Sequence, residues 1–169
     1  SLIGEKGIVS EQMPDGSIWV VGVIQFGPIG GNDVLAVKVD AAGNFLTPIF
    51  YYGTPDLDYP NNMIFQNGEL IIAGETHDSN GVDGFILRID TTGALIALDH
   101  YGLPNASEQF YDIKKTQDGG FVVTGFGAST TTIANNFLLS KFNAQAQQEW
   151  MQVHDLGTND IGVTIVENP

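Results

Sequence analysis

Apolar residues along this chain fall in short runs and not in the ~3.6-residue rhythm of an amphipathic helix. Each run is rich in β-branched and aromatic types and is closed off by Gly, Asn, Asp or Pro, as in Asp15-Gly-Ser-Ile-Trp-Val-Val-Gly22. That punctuation predicts strands joined by tight turns. No segment combines a helical period with capping residues, so the chain reads as all-β.

The runs repeat. Asp15 to Gly22, Asn67-Gly-Glu-Leu-Ile-Ile-Ala-Gly74 and Asp118-Gly-Gly-Phe-Val-Val-Thr-Gly125 share one template, and their starts lie 52 and 51 residues apart. A second element follows each of them, at Asp33 to Asp40, Asp83 to Asp90 and Asn136 to Asn143, with a basic residue (Lys38, Arg88, Lys141) two positions before its end. Three residues further on stand Gly43, Gly93 and Ala146, read as the far side of a tight turn. A third element is expected at Phe45 to Tyr52, Leu95 to Tyr101 and Glu149 to Val153. The fourth is expected at Met63 to Gln66, Tyr111 to Thr116 and Gly162 to Val166, with a further copy at Ile8 to Met13.

Four strands in about fifty residues, repeated in tandem, is the arithmetic of a β-propeller blade. The shorter coils of a β-solenoid fit that spacing less well. Runs that are apolar on both faces, such as Ile18 to Val23, suit strands covered from both sides. The expected organisation is a strand completing a preceding blade at 1–14, then repeat units at 15–66, 67–117 and 118–169. Closed propellers take about four blades or more. Three four-stranded units plus an N-terminal strand therefore read as part of a larger propeller, or as a protomer that closes with a copy of itself.

The combination of Asp118-Gly-Gly-Phe-Val-Val-Thr-Gly, a variable Gly/Ser/Thr loop, an Asp-led apolar strand ending Lys-x-Asp, a turn glycine and then Tyr-Gly resembles the repeats of secreted bacterial β-propeller proteins, including large cell-surface proteins of Bacteroidota. The second unit, from Asn67 through Tyr101-Gly102 to Glu108 and Thr116, carries the likeness best; the third, with Ala146 for the turn glycine, departs most. The resemblance implies a secreted or cell-surface location and a non-catalytic module that binds a protein or a glycan. Its alternatives are an architectural spacer in a large surface or secretion-associated assembly, and part of a propeller hydrolase or quinone-type oxidoreductase whose active site lies in other blades.

Composition narrows the partners. Among 169 residues, 20 are acidic and 6 basic, for a net charge of −14. That charge repels phosphate backbones and anionic lipid, which argues against nucleic acid and membrane surfaces. No apolar run approaches the ~20 residues of a membrane helix. Without cysteine there is no disulfide, thiolate site or cysteine nucleophile.

Residue types that return in every unit are most simply scaffold. Asp33, Asp83 and Asn136, with Asp40, Asp90 and Asn143, are expected to bond nearby backbone at strand ends and turns. Glu5, Asp58, Glu108 and Asp160 recur near the entry to the fourth element, where they would anchor a loop to backbone amides. Asp78-Ser-Asn-Gly-Val-Asp83 breaks the alternating ligand spacing of a calcium loop and reads as a polar hairpin. The weak metal candidates are Asp56 and Asp58, as a calcium site beside Tyr59; no other cofactor is expected. Gly27 to Gly31 opens no helix and reads as a hairpin loop. His77, His100 and His154 are scattered, His77 in a loop, and form no triad spacing. Arg88 is the sole arginine, too few for the carboxylate clamp of a sialidase. The aromatics Phe26, Tyr51, Tyr52 and Tyr59 gather in the first unit and are the ligand-binding candidates.

Overall fold

The computed structural model describes residues 4–103, 106–128, 135–157 and 159–166, and among these twelve strands form and no helix. The strands group by fours, in chain order, into antiparallel sheets. The first holds β1 (Glu5–Gln12), β2 (Ile18–Gln25), β3 (Asn32–Val39) and β4 (Phe50–Tyr52). The second holds β5 (Leu57–Gln66), β6 (Glu69–Asp78), β7 (Gly81–Asp90) and β8 (Leu95–Tyr101). The third holds β9 (Glu108–Lys115), β10 (Phe121–Ala128), β11 (Asn135–Phe142) and β12 (Gln148–His154). A single parallel bridge, Asn32 to Leu57, joins the first two sheets. Among the described residues no barrel closes.

Two local expectations change. The strand expected from Phe45 to Tyr52 is cut to three residues, with Phe45 keeping only a bridge to Val39. Pro48 lies between them and has no N–H to give the ladder. Residues 159–166 form no strand, although Gly162 N donates to Gly125 O at 2.9 Å. The sheets also run one strand out of phase with the sequence template, because β1 pairs along its length with β2.

The sheets stack face to face. Trp19, Val21, Val34 and Ala36 of the first sheet meet Leu70, Ile72, Phe85, Leu87 and Ile89 of the second. The alternate residues Ile71, Ala73 and Ile86 turn the other way, against Phe110, Phe121, Val123, Leu138 and Phe142 of the third. The inner strands β6 and β7 of the middle sheet are therefore covered on both faces, which explains their unbroken apolar runs at Leu70 to Ala73 and Phe85 to Leu87. Each large side chain so buried contributes roughly 1.5–3 kcal/mol.

Of the repeated polar residues, Asp40, Asp90 and Asn143 are the turn joinery; Asp33 Oδ2 accepts from Ile29 N at 2.8 Å, while Asn136 Oδ1 is buried without a partner. Asp40 Oδ1 accepts from Ala42 N and Asn44 N at 2.9 Å each. Asp90 Oδ1 does the same with Thr92 N (2.8 Å) and Ala94 N (2.9 Å), and Asn143 Oδ1 with Gln145 N and Gln147 N (both 3.0 Å). The third turn turns left-handed at Ala146 (φ 59°), where the others have Gly43 and Gly93. Each repeated base is held by an acid of its own unit: Lys38 by Asp15 at 3.0 Å, Arg88 by Glu69 at 2.7 Å and Lys141 by Asp118 at 2.9 Å. Three loops are tied as expected, by Thr54 N to Asp58 Oδ2 (2.7 Å), Leu103 N to Glu108 Oε2 (3.2 Å) and Leu156 N to Asp160 Oδ2 (2.9 Å).

Candidate functional site

β1, β5 and β9 occupy the same place in their sheets, and each carries a bulge, at Ile8, Asn61 and Tyr111. Opposite each bulge stands the glycine that closes the sequence template. A Cβ on Gly22 or Gly74 would lie 2.2 Å from the carbonyl oxygen of Lys6 or Tyr59, and one on Gly125 only 1.7 Å from that of Gln109. Those glycines are there because the bulged strand comes too close for any side chain.

Behind the bulges the first strands are linked side by side. The Asn62 amide donates to Asp112 Oδ1. Asp112 Oδ2 accepts from Thr164 Oγ1 at 2.7 Å and Ile165 N at 2.9 Å, which seats residues 159–166 against β9. Burial pushes the Asp112 carboxyl up, but these donors and Lys114 at 3.7 Å together hold it below the usual carboxylate range.

The bulge of β5 opens a cleft of about 300 Å³ at the seam between the first two sheets, lined among others by Lys6, Gln25, Tyr59, Asn61 and Glu75. Asn61 Nδ2 donates to Glu75 Oε2 at 2.7 Å and to Phe110 O at 3.0 Å, so the bulged side chain orients the acid. Burial pushes the Glu75 carboxyl up, with Asn61 and His77 pulling against it. His77 Nε2 is 3.6 Å from Glu75, and its ring meets Tyr59 edge-on with centroids 5.2 Å apart. His77 thus sits in β6, not in a loop, because the β6–β7 hairpin stays paired out to Asp78 and Gly81. One aromatic ring, three amides, a carboxylate and an ammonium around one small cleft can meet a polar, hydroxyl-rich group by apolar contact and hydrogen bonds.

The four aromatic candidates do not gather. Tyr59 lines the cleft. Tyr52 is buried in the sheet seam, with its hydroxyl bonded to Gly93 O at 2.6 Å, so its exposed face is gone. Tyr51, the residue before it on β4, lies on the opposite face and is half-buried. Phe26 is 73% exposed in the hairpin after β2, at φ 55°. Asp58 is fully buried and fully engaged: Oδ2 takes Thr54 N and Oγ1, and Oδ1 takes Thr76 Oγ1 at 2.6 Å. Asp56 beside it is exposed. Arg88, spent on Glu69 and on Gln145 O at 3.3 Å, is part of the scaffold. Lys6, Asn61 and Glu75 escaped the sequence reading, and the one signal pointing to them is the template glycine, whose missing side chain marks the bulge.

A scan against models of protein families and a search of curated proteins found no match to this chain.

Proposed function

We propose that the chain is a non-catalytic binding module of the secreted or cell-surface kind, three blades of a β-propeller, with a glycan as ligand at the Tyr59 cleft. The cleft carries this reading: Tyr59 contributes an aromatic side chain to its wall, while Asn61, Glu75, Gln25 and Lys6 offer donors and acceptors around it. Sugars are recognised by that mixture of one aromatic platform and several fixed polar groups. The stacking of four-stranded sheets and the line of contacts from Asn62 through Asp112 to Thr164 support the blade reading, since first strands lie side by side around a propeller axis. Further blades, in the same protein or in a second copy of this chain, would complete the ring.

Glycan-array screening of the chain, followed by titration of the best binder, tests the reading. Tyr59→Ala should lower affinity at least tenfold while leaving the thermal midpoint in place. An array without binders would favour the architectural reading, in which the blades are a spacer. Turnover of the bound glycan would overturn the non-catalytic assignment.

A further inference from the structure

The chain contains two Asn-Gly dipeptides, Asn67-Gly68 and Asn80-Gly81, at the two hairpin turns on either side of β6, and both asparagines are exposed. An asparagine followed by glycine is prone to lose its side-chain amide to attack by the next backbone nitrogen, because glycine has no Cβ to shield that nitrogen.

The two sites are held differently. Asp78 closes the second: its Oδ1 accepts from Asn80 N at 2.6 Å and from Gly81 N at 3.0 Å, and its Oδ2 from the Asn80 side-chain amide at 3.3 Å. One carboxylate thus engages both the nitrogen that would attack and the amide that would leave. Asn67 has no such neighbour. Gln66 pairs with Glu69 across it, so Asn67 and Gly68 form a two-residue turn with both backbones left-handed, at φ 53° and 83°. Among the described residues, neither the Asn67 side chain nor Gly68 N makes a hydrogen bond. The turn is also open, since a Cβ on Gly68 would meet nothing within 4 Å.

The corresponding turns of the other two sheets supply the comparison. There the template opens on Asp-Gly, and the glycine nitrogens are bonded, Gly16 N to Met13 O at 2.9 Å and Gly119 N to Thr116 O at 3.0 Å. The side chains before them are held as well, Asp15 Oδ1 by Ser17 N and Asp118 Oδ1 by Gly120 N, each at 3.0 Å. Of these three turns, that of the second sheet alone leaves the nitrogen and the side-chain carbonyl carbon free to meet.

We propose that Asn67 is a site of spontaneous deamidation in the folded chain. The Gly68 nitrogen bonds to Asn67 Cγ, the Cγ–Nδ2 bond breaks, and ammonia leaves with the Gly68 proton, closing a succinimide ring. Water then opens the ring: cleavage at Cγ leaves aspartate, and cleavage at the main-chain carbonyl leaves isoaspartate, with the chain now running through Cγ. Either product adds a negative charge. The isoaspartyl form also adds a carbon to the main chain of a turn whose length sets the strand register. Gln66, at the edge of that turn, gives its side-chain amide to Gly119 O and Gly120 O, so the change is felt where the second sheet grips the third. This site is independent of the glycan reading.

The test is incubation of the whole chain in mildly alkaline buffer, with peptide mapping by mass spectrometry at intervals. Asn67 should convert first, to aspartate and isoaspartate, while Asn80 stays intact. In concentrated urea, where neither turn survives, the two sites should convert at similar rates. Asp78→Ala should speed conversion at Asn80 about tenfold, the rate equivalent of the hydrogen bonds it loses. Should Asp78→Ala not fold, the native chain compared with the chain in urea still decides the matter. Conversion at Asn80 as fast as at Asn67 in the native chain, the same ratio of rates in urea as in buffer, or an earlier change at Asp15 or Asp118 would each overturn the proposal.

Discussion

The Tyr52 hydroxyl donates to the carbonyl oxygen of Gly93 across the seam between the first and second sheets, at 2.6 Å and out of contact with water. One side chain thereby fastens β4 to the turn between β7 and β8. Tyr52→Phe keeps the ring and leaves the carbonyl unpaired, so it should cost about 1–2 kcal/mol in urea unfolding. Burial, and then the charge of Asp90, push the Tyr52 phenol well above its ordinary value. A raised folded pKa means that stability is whole below about pH 10 and declines above it, as the unfolded chain releases the proton first. The alkaline decline should be shallower in Tyr52→Phe, and a spectrophotometric titration should find this tyrosine ionising only as the protein unfolds.

Gly43 and Gly93 have the same backbone, φ 85° and 89°, but different surroundings. A Cβ on Gly43 meets nothing within 4 Å, whereas one on Gly93 would sit 2.4 Å from the Phe50 ring. Gly43→Ala should therefore cost only the left-handed conformation, about 1 kcal/mol. Gly93→Ala adds a clash with a packed ring and should cost about 3 kcal/mol. Equal losses in denaturant melts would mean that the ring moves freely aside.

Asp112 binds β9 to two neighbours at once, Asn62 on one side and the Thr164 hydroxyl and Ile165 amide on the other. Asp112→Ala strands donors on both sides and should cost about 2–4 kcal/mol. Hydrogen exchange should localise the damage, with the Ile165 amide losing protection before the core amides of β6 and β10.

At the acid end the turn carboxylates act together. Hydrogen bonds from Ser17 and then Lys38 hold Asp15 down to about 2. Asp118 is held low first by Thr116, Asp40 by Asn44 and Asp90 by Thr92. Depressed values contribute stability above the ordinary carboxylate pKa and lose it as pH falls. Stability should drop progressively below about pH 4, and 1 M salt should reduce only the share owed to Lys38 and Lys141, since the turn hydrogen bonds are local.

Much of the scaffold was legible because it is written three times. The Asp or Asn closing the second element, repeated at fifty-residue spacing, already located the Asx turns of Asp40, Asp90 and Asn143, whereas the acids that hold Lys38, Arg88 and Lys141 emerged only with the strand pairing. The sheet phase was not legible, since a strand's partner depends on pairing and not on its own pattern, and β1 pairs with the strand after it. The cleft was hidden for a related reason. Asn61 matters because a bulge turns it towards Glu75, and a bulge is a property of two strands together. Tyr52 and Tyr59 look alike in sequence; Tyr52 ends β4 facing the turn at Gly93, whereas Tyr59 stands next to the bulge of β5, and this separates an anchor of the core from a wall of the cleft.

Within each sheet, every strand pairs with the strand next to it in the chain. Closing such neighbours costs little chain entropy, so each sheet can zip from hairpins before it meets the next. An all-β chain would then fold with the speed of local contacts, the stacking of sheets following as a slower step. The same arrangement lets a gene lengthen by whole sheets without rethreading the ones already made.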